Sequence, residues 1–195
     1  MMSVSMNEVS NFILELDALK LVARRTYICG GKRLENSAEH SWHLALASWL
    51  LAKNMNRNYS IEKLLKLALI HDLGEIDPGD TFLYDKDRDL AANRERKCVN
   101  RLASDSGNSI DELLDLWEEQ EIGKSPEAKF LKVVDRLLPF LHNITSEGQA
   151  WKDNDIHKKQ VLDAHKFIKT EEPEIYEWFL ENLEQAIKKE WLKTP

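Results

Sequence analysis

Apolar positions recur along most of this chain with the period of an α-helix. Val9, Phe12, Ile13, Leu16 and Leu19 mark one face of a first helix. The segments Ser37–Met55 and Ile61–Leu73 are apolar nearly all the way round, which predicts two central, buried helices. Ser60 is a suitable N-cap for the second of these, and Gly74 a suitable stop. Further helices are predicted over roughly Asp87–Ala103, Ile110–Glu121, Glu127–Leu141, Asp155–Lys169 and Thr170–Leu192. Ser125-Pro126 opens the third of that group, because proline is tolerated in a helix's first turn. Two stretches lack the period. One is a basic loop, Arg24–Arg33, broken by Gly30-Gly31; the other is Glu75–Thr81, where Pro78-Gly79 makes a turn. There is no strand alternation, repeat or low-complexity linker. The expected architecture is all-α: one helical-bundle domain over residues 1–195, with a motif core at about 37–141 and C-terminal helices at about 155–192 packed on it.

Composition narrows the function classes. The 195 residues carry a net charge of −7, so the broad basic footprint of a nucleic-acid-binding chain is absent. The most continuous apolar run, Leu44–Ala52, is interrupted by Ser48 and falls short of the ~20 residues a membrane span needs. Met1-Met2-Ser3 opens no signal-peptide pattern. Cys29 and Cys98, the only cysteines, form no zinc-type spacing and fit a reducing cytoplasm, which is the expected location. Trp42 and Trp49 lie seven apart on one helical face and are expected in the core or at a helix interface.

The polar residues inside the apolar helices carry the chemistry. His40 falls in line with Leu44, Ala47 and Leu51, and Asp72 with Ile61, Leu65 and Ala68. A buried carboxylate is costly unless it is paired or binds a metal. Imidazole and carboxylate are both good ligands for a divalent ion. His40, His71, Asp72 and a later acid, Asp135 beside Leu131, make a two-histidine, two-carboxylate set from three helices. Such a set leaves room for water and a substrate oxygen. Blander readings stand beside it. His40 could be a hydrogen-bonded core histidine, and Asp135 could pair with a basic residue on a neighbouring helix. His43 suits packing or support of a ligand. His142, His157 and His165 suit surface or packing roles, and Asp85–Asp89 a solvated charge run.

Glu39-His40-Ser41, His71-Asp72-Leu73-Gly74-Glu75, Gly79-Asp80 and Asp135, in this order, resemble the HD-domain phosphohydrolase superfamily. More narrowly, the chain is similar to the HD-domain 5'-deoxynucleotidases, with supporting landmarks at Leu19-Lys20-Leu21, Leu116-Trp117-Glu118-Glu119 and Glu127-Ala128-Lys129-Phe130. The resemblance implies one divalent ion, its identity open among Mn, Co, Fe, Ni, Zn and Mg, held by His40, His71, Asp72 and Asp135. It implies that Glu75 and Asp80 are catalytic, and that Arg24 or Arg25 contacts the substrate. The implied reaction is removal of phosphate from a (deoxy)ribonucleoside 5'-monophosphate by a metal-activated water. The alternatives are an HD-type phosphodiesterase or nucleotide pyrophosphohydrolase, or a metal-stabilised binding protein. The implied partners are a small-molecule nucleotide and a second copy of the chain, with neither a nucleic-acid polymer nor a membrane. The nucleotidase pattern carries an aromatic beside the arginine; here Arg25-Thr26-Tyr27 stands there, with Tyr27 as a substitute. The aromatic C-terminal helix, with Tyr176, Trp178, Phe179 and Trp191, could supply a dimer interface or close the core.

Overall fold

The computed structural model describes residues 4–85 and 88–194, without the side chains of Arg88 and Asp89. Met1–Ser3, and the charge run beyond Asp85, therefore lie outside the described side chains. The fold is helical. After α1 (Met6–Leu16) and a 3-10 turn (Asp17–Leu21) come α2 (Ser37–Asn54) and α3 (Ile61–Ile70). A 3-10 turn at Leu73–Glu75 leads on to α4 (Arg88–Ala103), α5 (Leu113–Ile122) and the long α6 (Pro126–Thr145). The chain closes with α7 (Gln149–Asp153), α8 (Lys158–His165), α9 (Ile168–Glu171) and α10 (Pro173–Lys188). None of the described helices is long and apolar enough to cross a membrane.

The basic loop is the main departure from the sequence reading, because it folds as an antiparallel hairpin. β1 (Ala23–Ile28) pairs with β2 (Arg33–Asn36), with Tyr27 opposite Leu34 and Ile28 opposite Arg33. Cys29, Gly30 and Gly31 all take positive φ to turn the chain, which two of the three do without steric cost. The register slips between Ala23 and Tyr27. Bulges re-aim side chains. Arg24, Arg25 and Thr26, which would alternate faces in a regular strand, here all line one cavity. Short strands interrupted by such a slip leave no alternation to read.

β2 runs directly into α2. Asn36 caps the helix by accepting from the Glu39 amide at 2.9 Å, while Glu39 accepts from the Asn36 amide at 2.8 Å. Arg33 holds both oxygens of Glu39, at 2.6 and 2.8 Å. This pins the helix start one turn before His40.

The buried face of α2 corrects the picture of a helix covered all round. Ser37, His40, Ser41, Leu44, Ala45, Ser48 and Ala52 face inward. Trp42 and Trp49, expected in the core or at a helix interface, are 61% and 45% exposed beside Leu46 and Leu50. The small and polar side lets α3 and α6 approach closely. A helix apolar on every side carries no periodic signal to say which side is buried.

Three adjoining clusters form the interior. Leu44, Leu64, Leu67, Phe130, Leu131, Val134 and Leu138 join α2, α3 and α6. Phe12, Leu19, Val99, Leu102 and Trp117 fill the α1, α4 and α5 side. Phe140, Trp151, Val161, Ile168, Phe179 and Leu183 close the C-terminal end. Phe179 of α10 is thus core. His165 is also buried there, stacked on Phe179 with ring centroids 4.5 Å apart. α6 runs past its expected end at Leu141, through Pro139. That proline cannot donate to the carbonyl four residues back, which belongs to Asp135. The helix expected over Asp155–Lys169 breaks into α8 and α9.

Candidate active site

The four expected ligand side chains come together from α2, the turn after α3, and α6. His40 Nε2 lies 3.0 Å from Asp135 Oδ1, and His71 Nε2 lies 3.0 Å from Asp72 Oδ1. The His40 and His71 rings are 5.4 Å apart. The local fold explains the convergence. Asp72 and Glu75 flank Gly74, where a Cβ would sit 2.8 Å from Glu95 Cβ, so only glycine lets α4 seat directly on this turn. Trp117 Nε1 donates to the His71 carbonyl at 3.2 Å and fixes the turn from below.

These residues fit a cation. His71 Nδ1 meets the Ala68 carbonyl at 2.8 Å; a carbonyl only accepts, so Nδ1 carries the proton. Burial holds the His71 pKa below its ordinary value, so its Nε2 is a bare acceptor. That buried Nε2 has no hydrogen-bond donor and faces a carboxylate oxygen. Two acceptors at this distance need a positive charge between them. His40 gives the same indication. Burial and Arg24 push its pKa down, yet Asp135, Glu35 and Asp72 raise it to about 9. The surrounding carboxylates therefore call for a cation, and without a metal a proton on His40 supplies it. Donor set and environment both suit a divalent ion.

The structure separates the two arginines. Arg24 Nη1 lies 2.9 Å from Asp72 Oδ2 and 3.9 Å from Asp80 Oδ1, so Arg24 and Asp80 sit at the ligand cluster. Arg25 is further out: it lies over the Phe82 ring at 5.0 Å and donates to Asn154 Oδ1 at 3.1 Å. Glu75 is buried and accepts from Ser37 Oγ at 2.6 Å. Burial, with Asp72 adding to it, pushes the Glu75 carboxyl up to about 10. Burial also raises Asp80, against the pull of Arg24.

A cleft runs outward from Asp72, Glu75, Asp80 and Asp135 past Arg24 and Arg25 to Phe82, Tyr84 and Trp151. A second, more polar cavity opens on the other side of Asp72, Glu75 and Asp135, toward Glu95, Gln120 and Lys132. Tyr27 is not among the lining residues of either; its neighbours are Asp153 and Gln149. The aromatic surface of the cleft comes instead from Phe82 and Tyr84, in edge contact at 5.2 Å, and Trp151.

Sequence reasoning missed three residues. Glu35 of β2 is 2% exposed and lies 3.2 Å from Arg24 Nε and 3.4 Å from His40 Nδ1. Ser37 holds Glu75. Arg136 lies 2.7 Å from Asp135 Oδ2 and lines both cavities. Glu35 was detectable only as an acid between the hairpin and the cap of α2. Arg136 was hidden by its ordinary look as the partner of an adjacent acid.

A helical fold with two histidines and two carboxylates around a cation-seeking centre, beside a buried arginine and a cleft, has the groups a metal-dependent phosphohydrolase needs. Comparison with known proteins agrees. The HD domain family matches residues 16–176, and the chain belongs to that family. A predicted metal-dependent phosphohydrolase from Magnetospirillum magnetotacticum superposes with a TM-score of 0.86 at 32% identity, covering 98% of this chain and 97% of its own. The 5'-deoxynucleotidase HDDC2 of Dictyostelium discoideum is 28% identical over 158 residues, 75% of this chain and 82% of the relative. The 5'-deoxynucleotidase YfbR of Escherichia coli is 28% identical over 141 residues, 68% of this chain and 70% of the relative.

Proposed function

We propose that this protein is a cytoplasmic 5'-nucleotidase that removes phosphate from (deoxy)ribonucleoside 5'-monophosphates, with His40, His71, Asp72 and Asp135 holding one divalent ion. The observation that carries this reading is the bare, buried His71 Nε2 facing Asp72 Oδ1 at 3.0 Å; His71 lines the second cavity, and Asp72 is shared between that cavity and the cleft that holds Arg24. A divalent ion held there would acidify a water and offset phosphoryl charge.

The chain's own groups do the rest. Arg24 neutralises a phosphate oxygen; its charge is fixed, since the surrounding carboxylates raise its pKa against the cost of burial. Glu75 would receive a proton from the attacking water in its ionised form, which the charge of a bound ion favours over the protonated form that burial holds in the metal-free chain. Asp80, beside Arg24, hands a proton to the leaving 5' oxygen or holds the sugar. The nucleoside lies along Phe82, Tyr84 and Trp151, with Arg25 at the mouth. In an acidic chain, these two arginines and the ion make the cleft locally attractive to an anion. Two free cysteines, Cys29 exposed and Cys98 buried, suit the cytoplasm. A homodimer also belongs to this reading, and light scattering tests it.

The test is phosphate release from a panel of ribo- and deoxyribonucleoside 5'-monophosphates, with 3'-monophosphates and diesters as controls, before and after chelation and metal return. Release confined to 5'-monophosphates and restored by the ion is expected. Release from diesters alone, or an activity indifferent to chelation, would overturn the assignment.

A further inference from the structure

The same two helices that carry His40 and Asp135 carry a second pair of histidines. His43 follows His40 by one turn on α2, and His142 follows Asp135 by two turns on α6. Their rings approach to 5.4 Å, and both residues are half-buried. Between them and the first centre stands Glu35, whose two oxygens face opposite ways. Oε2 faces His40 Nδ1 and Arg24 Nε, while Oε1 faces His142 Nε2 at 3.5 Å. Among the described residues only two clusters place three ligand atoms within 4.8 Å of one another; one is His40, His71 and Asp72, the other Glu35, His43 and His142.

Two features of this second cluster point to a ligand. His142 Nε2 is buried and makes no hydrogen bond, although an excellent acceptor stands opposite. Glu35 is more than nine-tenths buried, and its Oε1 is aimed into the same space. The spacing is too long for a good hydrogen bond. It fits instead the edge of a tetrahedron built on metal–nitrogen and metal–oxygen bonds of about 2.1 Å, an edge of about 3.4 Å. Two histidines and one carboxylate, with the outer side half-open for water, make a donor set of borderline softness.

We propose that Glu35, His43 and His142 form a second divalent-cation site, able to hold zinc, and that it shares Glu35 with the first centre. An ion there would fix Oε1 of Glu35, and with it the Oε2 that lies 3.4 Å from His40 Nδ1 and 3.2 Å from Arg24 Nε.

The test counts ions in the full chain. Protein stripped by a chelator is reloaded with zinc, passed through a desalting column and analysed for metal, with calorimetric titration in parallel. Wild type should hold two equivalents. Asp72→Asn should lose the first and keep the second, whereas His142→Gln and, separately, His43→Gln should lose the second and keep the first. A single equivalent in wild type overturns the site and leaves Glu35 as a plain acceptor for His142. Two equivalents surviving in both histidine variants would also overturn it, because the second ion would then sit elsewhere. The wild-type count and the two independent variants keep the test decisive if one variant fails to fold. Nucleotide hydrolysis by a one-ion enzyme would refute this site alone, and two ions without hydrolysis would refute the nucleotidase reading alone.

Discussion

Replacing Glu75 by glutamine should make a metal-free protein that is more stable and an enzyme whose turnover is severely reduced. Glu75 is 7% exposed, and its carboxyl is pushed up to about 10 in the folded chain, by burial first and then by Asp72. Unfolded, the same carboxyl titrates at its ordinary 4.5. Between those two values the folded chain holds a proton that the unfolded chain has released. Stability therefore falls as pH rises through the window, and at pH 7 the cost reaches about 3 kcal/mol. Glutamine keeps the shape and can still accept from Ser37 Oγ, but it has no proton to bind. The variant should gain up to about 3 kcal/mol at neutral pH, a shift of roughly 1 M in the urea midpoint, and the gain should shrink to nothing near the ordinary carboxylate pKa. Its turnover should drop by about 10²–10⁴-fold through loss of a general base. The assay is urea denaturation of metal-stripped protein at several pH values, beside phosphate release by the reloaded enzyme. A variant that is less stable at pH 7, or that turns over within a few-fold of wild type, would refute this account of Glu75.

Three further outcomes follow from the same geometry. Arg24→Ala should lower kcat/KM by about 10²-fold or more and destabilise the fold by about 3 kcal/mol, since it leaves Glu35 and Asp72 without their buried partner; Arg25→Ala should mainly raise KM, and steady-state kinetics separates the two. Phe82→Ala should raise KM for nucleoside monophosphates while leaving a small aryl phosphate nearly unaffected, because the ring lines the cleft beneath Arg25 and beside Tyr84. Burial of His165 pulls its pKa from 6.5 to about 4, so wild type should lose up to about 3 kcal/mol as pH falls through that window, the unfolded chain taking up a proton that the fold refuses; His165→Phe should flatten this acid limb in denaturant titrations.

What the sequence disclosed, and what it hid, divides along physical lines. His40 and Asp135 were legible because ionisable groups on apolar helix faces demand an explanation; Asp72 was legible on the same ground, although the helix expected over Ile61–Leu73 ends at Ile70 and Asp72 lies in the turn beyond it. The turn at Glu75–Thr81 was legible from Pro78-Gly79. The hairpin was not, since its strands are short and its register slips where the arginines lie. That slip also decides which arginine reaches the ligand cluster, so the sequence left Arg24 and Arg25 undivided. Trp42 and Trp49 misled for a different reason: on α2 the buried side is built of serines, alanines, His40 and one leucine, Leu44, while Trp42, Leu46, Trp49 and Leu50 face outward. Glu35 had no signal of its own, because its burial follows from the pairing of β1 with β2 and from the nearness of α6, contacts between parts of the chain far apart in sequence.

The most direct measurement is an anomalous difference map from a crystal soaked in manganese. A peak within coordination distance of His40 Nε2, His71 Nε2, Asp72 Oδ1 and Asp135 Oδ1 is the predicted result. A map with no peak among those four atoms, from crystals of protein that still hydrolyses nucleotides in manganese, would contradict the assignment of the metal centre.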